Sequence, residues 1–360
     1  MSTGLDDHQD LIPGLPDHIA HFCLISLPPT LLHKVSHSWR KLVYSPHFPP
    51  FLSLYVLLSP DSGPSTFDSL QLFCFDPLSS VWAHLPPPPI QFLLRHRSYL
   101  SRNLPIQSVT VAESLVIVAA TAPGFLPALT RPLMFDPKIS QWSFGPELGS
   151  PRRWCAAGTS RGSVYVASGI GSHYNSKVAK SVEKWDFIIP SSSDKFEEMR
   201  TLKDGRFSRD AIEAVGYKGK LCMVNVKGDA VKEGAIYNTE EDTWEDMEEE
   251  MVWGWRGPAA SIAEEEIYAV DEKRGVLMRY SGCGHRDGGS GWEEIVESER
   301  LKGAEHVAAG GGRVCVVGRG GGITVVDVVT APVRISVVEV PPGFNVVGLH
   351  ILPRINVHLN

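Results

Sequence analysis

The chain has 360 residues, a formal net charge of −7, and 43% hydrophobic against 21% charged residues. That length exceeds one ordinary domain, so two domains or a repeat array is expected, and the acidic balance argues against a general binder of nucleic acid or of anionic membranes. Asp6, Asp7 and Asp10 stand where a secretory leader needs basic and then apolar residues. The longest apolar run, residues 114–129, is broken by Pro123, Gly124 and Pro127 and falls short of the ~20 apolar residues of a membrane span. Six cysteines, Cys23, Cys74, Cys155, Cys222, Cys283 and Cys315, stand singly with no C-x-x-C pair. A reducing compartment, cytoplasm or nucleus, is the expected location.

Residues 1–10 read as a disordered amino terminus, and the pattern is helical from there to about residue 45. Leu15, Ile19, Phe22, Cys23 and Leu27 recur at helical spacing, with Pro16 where a first turn tolerates proline. Pro28 and Pro29 stop that helix and start another, in which Leu31, Leu32, Val35, Trp39, Leu42 and Val43 keep the 3.6-residue period until Pro46, Pro49 and Pro50 end it. So short a helical segment buries little, and its apolar face should want a partner. Leu15-Pro16, Leu27-Pro28-Pro29, Val35-Ser36 with Trp39, and Ser45-Pro46 with Phe48, in that order, resemble the F-box motif. The resemblance assigns residues 11–50 to an F-box. It implies contact with a Skp1-like adaptor, and through it cullin, by Leu15, Pro16, Ile19, Cys23, Leu27, Pro28, Val35, Trp39 and Leu42. The stretch between Pro29 and Val35 is about three residues shorter than in the usual motif, which implies a truncated second helix.

The rest of the chain repeats. A bulky residue followed by a turn-forming polar one occurs at Phe75-Asp76, Phe135-Asp136, Trp185-Asp186, Tyr237-Asn238, Tyr280-Ser281 and Val326-Asp327, about 50 residues apart. Trp82, Trp142 and Trp244 stand seven residues after the bulky one, and Phe196, Trp292 and Ile335 take that place behind longer turns. The polar residue makes the turn between the two outer strands of each unit, and the side chain after it plugs the gap to the neighbouring unit. Residues 152–185, with Gly162-Ser163-Val164-Tyr165-Val166 and Trp185-Asp186, resemble a kelch repeat. The expected fold is mainly β: a six-bladed kelch-type β-propeller over residues 51–354, preceded by the small α-helical F-box and followed by a tail, 355–360. Only three strands precede the second unit, while residues 345–352 form a spare strand, so the two chain ends are expected to complete one blade.

Catalytic chemistry finds little support. Gly310-Gly311-Gly312 and Gly320-Gly321-Gly322 lack the G-K-[ST] ending of a phosphate loop and read as turns. His33 with His37, and Cys283 with His285, do not amount to a metal site, and no nucleophile elbow occurs. No catalytic residue, cofactor or metal is expected. The acid-rich run from Glu240 to Glu250 reads as protection of a sheet edge or, less favoured, a surface for a basic partner. More suggestive are side chains just before each innermost strand: Arg102, Arg152, Arg153, Trp154, Arg206, Arg209, Trp253, Trp255, Arg256, His306 and Phe344. Segments joining blades converge near the central channel, and Arg and Trp dominate binding hot spots, so these residues form the candidate docking face, with blade packing the competing reading.

Together the two parts resemble plant F-box/kelch-repeat proteins of the Skp1-interacting-partner group. What the resemblance implies is a non-catalytic substrate adaptor of an SCF (Skp–cullin–F-box) ubiquitin ligase, with an unidentified target protein on the propeller. A kelch scaffold outside any ligase and a small-molecule receptor are the competing expectations.

Overall fold

The structure, a computed structural model, describes residues 11–354 apart from 28, 46–47, 49–50, 62–69, 95–104, 189–194, 209–211, 226–231 and 283–290. Arg102, Arg209, Pro28 and the Cys283/His285 pair therefore lie outside the described residues. Three helices come first: α1 (Asp17–Ile25), α2 (Pro29–Val35) and α3 (His37–Val43). Pro16 stands at the cap position of α1, and the Ser36 hydroxyl accepts from the Trp39 N–H at 3.1 Å to cap α3. Leu24, Leu32, Leu42, Val43 and Phe48 form this module's own small core.

Six antiparallel sheets follow. The first holds β1 (Leu52–Pro60), β2 (Gln71–Asp76) and β3 (Val81–Leu85), and the second β4 (Ile106–Val111), β5 (Ser114–Ala122), a short β6 (Leu126–Pro127), β7 (Leu133–Asp136) and β8 (Gln141–Phe144). The third holds β9 (Ala156–Ser160), β10 (Ser163–Ala167), β11 (Val182–Asp186) and β12 (Glu197–Met199), with a short helix, α4 (Ser176–Lys180), between β10 and β11. The fourth holds β13 (Ile212–Tyr217), β14 (Lys220–Asn225), β15 (Gly234–Asn238) and β16 (Thr243–Asp246), and a single helical turn, α5 (Glu249–Gly254), leads out of it. The fifth holds β17 (Ala259–Ile262), β18 (Glu266–Asp271), β19 (Val276–Tyr280) and β20 (Trp292–Glu297), and the sixth β21 (His306–Gly310), β22 (Arg313–Val317), β23 (Ile323–Asp327) and β24 (Arg334–Val338). The last strand, β25 (Phe344–Pro353), returns to pair with β1 as the innermost strand of blade 1. Strands β25, β4, β9, β13, β17 and β21 each touch the next around the centre, which closes a six-bladed propeller.

The register explains the repeat. Each bulky residue of the third strand lies opposite the aromatic of the fourth: Phe75 and Trp82, Phe135 and Trp142, Tyr237 and Trp244, Tyr280 and Trp292. Their ring centroids are 5.0–5.2 Å apart. Each indole N–H then donates to a carbonyl on the segment leaving the preceding blade: Glu339 for Trp82, Pro86 for Trp142, Arg200 for Trp244 and Met251 for Trp292, at 2.7–3.2 Å. A ring half-buried, or in Trp292 buried, with one satisfied polar corner thus covers each of these four junctions. Blade 3 exchanges the two positions, with Trp185 on the third strand against Phe196, 5.8 Å away. In blade 6 the pair is Val326 and Ile335, and Ile335 is 39% exposed, so the plug expected of it is absent. The turns after these strands are held as expected: Asp76, Asp136, Asn238 and Asp327 each accept a backbone N–H two residues on.

The helical module sits at one end of this ring. Phe51 leads directly into β1, and Leu52 lies opposite Pro353, so the module meets the face where the innermost strands end; the blade-to-blade segments lie on the other face. Leu78, in the β2–β3 turn, packs on the module, and the Tyr44 hydroxyl donates to the Asp76 carboxylate at 2.5 Å. The Arg354 guanidinium lies 4.6 Å from both the Tyr44 and the Phe51 ring centroids, and its backbone N–H donates to the Phe51 carbonyl at 3.0 Å.

His350 of β25 bridges blades 1 and 2, with its two ring nitrogens 2.9 Å from the Ser108 hydroxyl and 3.1 Å from that of Thr110. Burial, reinforced by the charge of His306, lowers its pKa from 6.5 to about 3. The unfolded chain takes up a proton below pH 6.5 and the folded one does not, so this contribution is intact above that pH and is lost progressively towards pH 3. The loss is about 1.4 kcal/mol per pH unit, or about 2 kcal/mol at pH 5. Denaturant melts at pH 7 and pH 5 are expected to differ by that much less in His350→Gln than in the wild type; equal differences would refute a neutral, buried His350.

Candidate docking surfaces

Two surfaces follow from this arrangement. On α1, Ala20 and Leu24 are buried and Ile25 packs at the edge of the core. Leu15, Ile19 and Phe22 line the outer side with Leu27, and Leu31 and Val35 continue it along α2; all six are exposed, Phe22 the most at 67%. Pro16 and Cys23 are exposed beside them. This is a contiguous apolar stripe on a module whose core is complete without it. Two of the expected adaptor contacts face elsewhere. Leu42 is buried in the module's own core, and Trp39 is half-buried, its indole N–H donating to the Leu11 carbonyl at 2.5 Å. Helical spacing groups them with Val35, but the Ser36 cap starts a new helix at a new angle and carries both inward. Phe22 and Leu31, outside the expected contact set, are exposed at 67% and 50%; their i+7 and i+4 relations to Leu15 and Leu27 were the available signal.

The opposite face is less uniform than the spacing implied. Arg152 is fully buried: it pairs with Glu183 and donates to the carbonyls of Ser150 and Ser168 and to the Ser181 hydroxyl. Glu183 in turn accepts from the Gly149 N–H at 2.7 Å. Trp255 is fully buried in the core between blades 4 and 5. Neither has surface to give a partner, and both belong to blade packing. Arg153 is 7% exposed, donates to the Phe125 carbonyl and lies 4.1 Å over the Trp154 ring, which leaves Trp154 half-buried. His306 and Phe344 are half-buried at the starts of β21 and β25, Phe344 against Phe73. What stands out into solvent is Trp253 on α5, 71% exposed, with Arg256 and Arg206. Arg256 lies 3.5 Å from Asp271, and Arg206 pairs with Asp204 and Glu233. A groove of about 400 Å³ runs from Trp253 past Arg256 to Arg274 and Glu294.

The acid-rich run is mostly engaged in holding blades. Glu240 pairs with Arg161 of blade 3, Asp242 accepts from the Tyr237 hydroxyl and the Arg200 N–H, and Glu245 pairs with Lys220. Burial pushes the thiols of Cys74, Cys155, Cys222 and Cys315 up to about 12, so all four are protonated at neutral pH. Among the described residues no three His, Cys, Asp or Glu side chains are grouped to hold a metal, and no helix is long and apolar enough to cross a membrane.

The chain matches no family model. It is 48% identical to the F-box/kelch-repeat protein SKIP25 of Arabidopsis thaliana over 98% of this chain and 91% of that protein. This chain is a plant F-box/kelch-repeat protein. The F-box protein AFR and the F-box/kelch-repeat protein SKIP4, both of Arabidopsis thaliana, are 24% and 22% identical over 87% and 74% of the chain, which spans 82% and 71% of their lengths. In this member of the family the Arg152–Glu183 pair has a test of its own. Arg152→Ala strands a buried carboxylate and is expected to cost about 3–5 kcal/mol in a denaturant melt, whereas a docking arginine would lose binding at unchanged stability.

Proposed function

We propose that this F-box/kelch-repeat protein is the target-recognition subunit of a Skp–cullin–F-box ubiquitin ligase, its helices holding the Skp subunit and its propeller holding the protein to be modified. The observation that carries the reading is the outward stripe of Leu15, Ile19, Phe22, Leu27, Leu31 and Val35. Fully burying one such side chain gains about 1.5–3 kcal/mol, so a partner covering the stripe has ample driving force. The relatives' designation SKIP, for Skp1-interacting partner, names the same interaction. The contribution to catalysis is proximity: Tyr44, Asp76 and Arg354 fasten the module to blade 1, so a target held on the far face of the propeller keeps a set distance from the adaptor. No residue of this chain needs to react.

Because the stripe residues are exposed, their removal should leave the fold intact. Ile19→Ala, Phe22→Ala and Leu27→Ala combined are expected to lower recovery of the Skp subunit in a pull-down at least about tenfold at an unchanged melting temperature; undiminished recovery would remove the F-box assignment.

For the target, Trp253 and Arg256 are the exposed candidates on the far face. Trp253→Ala and Arg256→Ala should each cost about 1–3 kcal/mol of affinity for the protein that accumulates with this chain under proteasome inhibition, with Skp binding unaltered. Calorimetric titration showing wild-type affinity in both variants would move the target site elsewhere.

A further inference from the structure

The seam between blades 6 and 1 carries a groove of about 740 Å³ on the module side of the ring, reaching Pro29 at the start of α2. One wall is a three-strand ladder in which Arg313, Asp327 and Arg334 lie directly opposite one another across β22, β23 and β24. The other wall is apolar, with Leu52, Phe75 and Ile351.

The two arginines differ from the other cations on this face. Lys138, Arg161, Lys220 and Arg279 each hold an acid there. Arg313 and Arg334 are exposed, and neither guanidinium makes a hydrogen bond or ion pair with a described residue. Asp327, between them, is engaged by its own turn, accepting from the Val329 and Thr330 N–H groups at 3.2 and 3.1 Å. The inner turn of blade 6 also lacks the reaching side chain that its counterpart in blade 5 carries. There the Glu264 side chain reaches the Arg161 N–H and the Ser160 hydroxyl of blade 3; blade 6 has Gly310-Gly311-Gly312. Gly311, at φ +56°, lies so near Leu52 that a Cβ would come 2.7 Å from its Cδ1, so a side chain there would have to push Leu52 aside in a backbone conformation that favours glycine.

The shape selects an occupant. The groove follows β24 along all five of its residues, a run of about 16 Å, which suits extended chain better than a single small anion. In extended chain, alternate side chains point to opposite sides. Arg313 and Arg334 stand about 10 Å apart across the strands rather than along the run, so acidic side chains on one side of the segment can meet one or both guanidinium groups while the alternate, apolar side chains enter between Leu52, Phe75 and Ile351.

We propose that this groove binds an extended acidic peptide segment of a partner protein, in which acidic and bulky apolar residues alternate. The proposal is independent of the ligase reading, since it concerns a surface that neither the apolar stripe nor Trp253 shares.

Fluorescence anisotropy of the full chain with a labelled peptide of alternating glutamate and leucine tests it. Binding should weaken as salt rises, and should fall at least about tenfold in Arg313→Glu with Arg334→Glu and for the peptide with lysine in place of glutamate. Arg256→Glu, on the far face, should bind as the wild type does. Equal binding of the two peptides, or full binding by the double reversal, would overturn the proposal. Displacement by N-acetylglutamate at the same concentration as by the peptide would replace it with a small-anion site.

Discussion

Nine of the ten residues of β25 pair with the nine of β1 across nearly the whole length of the propeller sequence, and closure of the ring presupposes that pairing. A linear array of blades leaves an apolar sheet face and an unpaired strand edge at each end. Here both are removed by one step, at the entropic cost of closing a very long loop, which grows only logarithmically with length. Leu54, Val56 and Leu58 of β1 then pack with Ala308, Cys315 and Val317 of blade 6 in one core. That core exists only in the closed ring.

The helical module is fastened to the same seam. Phe51 immediately precedes β1 and Arg354 immediately follows β25, and the two stack beside Tyr44. The anchor is thus assembled from residues that the strand pairing brings together from opposite ends of the chain. Because Arg354 is an anchor element, the seat is complete only when β25 is in place, although Asp76 and Leu78 of the β2–β3 hairpin hold the module without it. Orientation of the adaptor surface is thus fixed fully by completion of the fold. The groove at Arg313 and Arg334 belongs to the same seam, since its walls are the last complete blade and the blade made from both ends.

Sequence made the local grammar plain and the burial of individual polar side chains obscure. The third-strand and fourth-strand pairs were legible because an aromatic and a turn-forming residue recur at fixed separation, and a pair such as Phe135 and Trp142 needs only its own hairpin. Arg152 was not, because its partner Glu183 lies on the far side of two strands and a helix, and nothing local marks an arginine as the centre of a buried network. Trp253 and Trp255 differ by two positions and have opposite fates. The single turn of α5 ends between them, at Gly254, so one ring stays on the surface and the other enters the core. In the helical module the period identified an apolar face correctly but could not say which apolar residues pack inward: Ala20, a weakly apolar residue, is buried while Phe22 is not.

The two faces of the ring impose different demands on a docked partner. On the far face Arg256 and Arg206 already face acids, so a partner there must compete with Asp271, Asp204 and Glu233 for each guanidinium. Its gain must come chiefly from covering Trp253, whose large ring is mostly in water, and such contacts depend more on shape than on salt. On the module side Arg313 and Arg334 make no ion pair among the described residues, and Asp327 between them is held by its own turn, so a carboxylate arriving there displaces no bonded partner. The net charge of −7 works against acidic partners at long range, which makes selectivity at this groove local: only a segment that also fills the apolar wall offsets that repulsion.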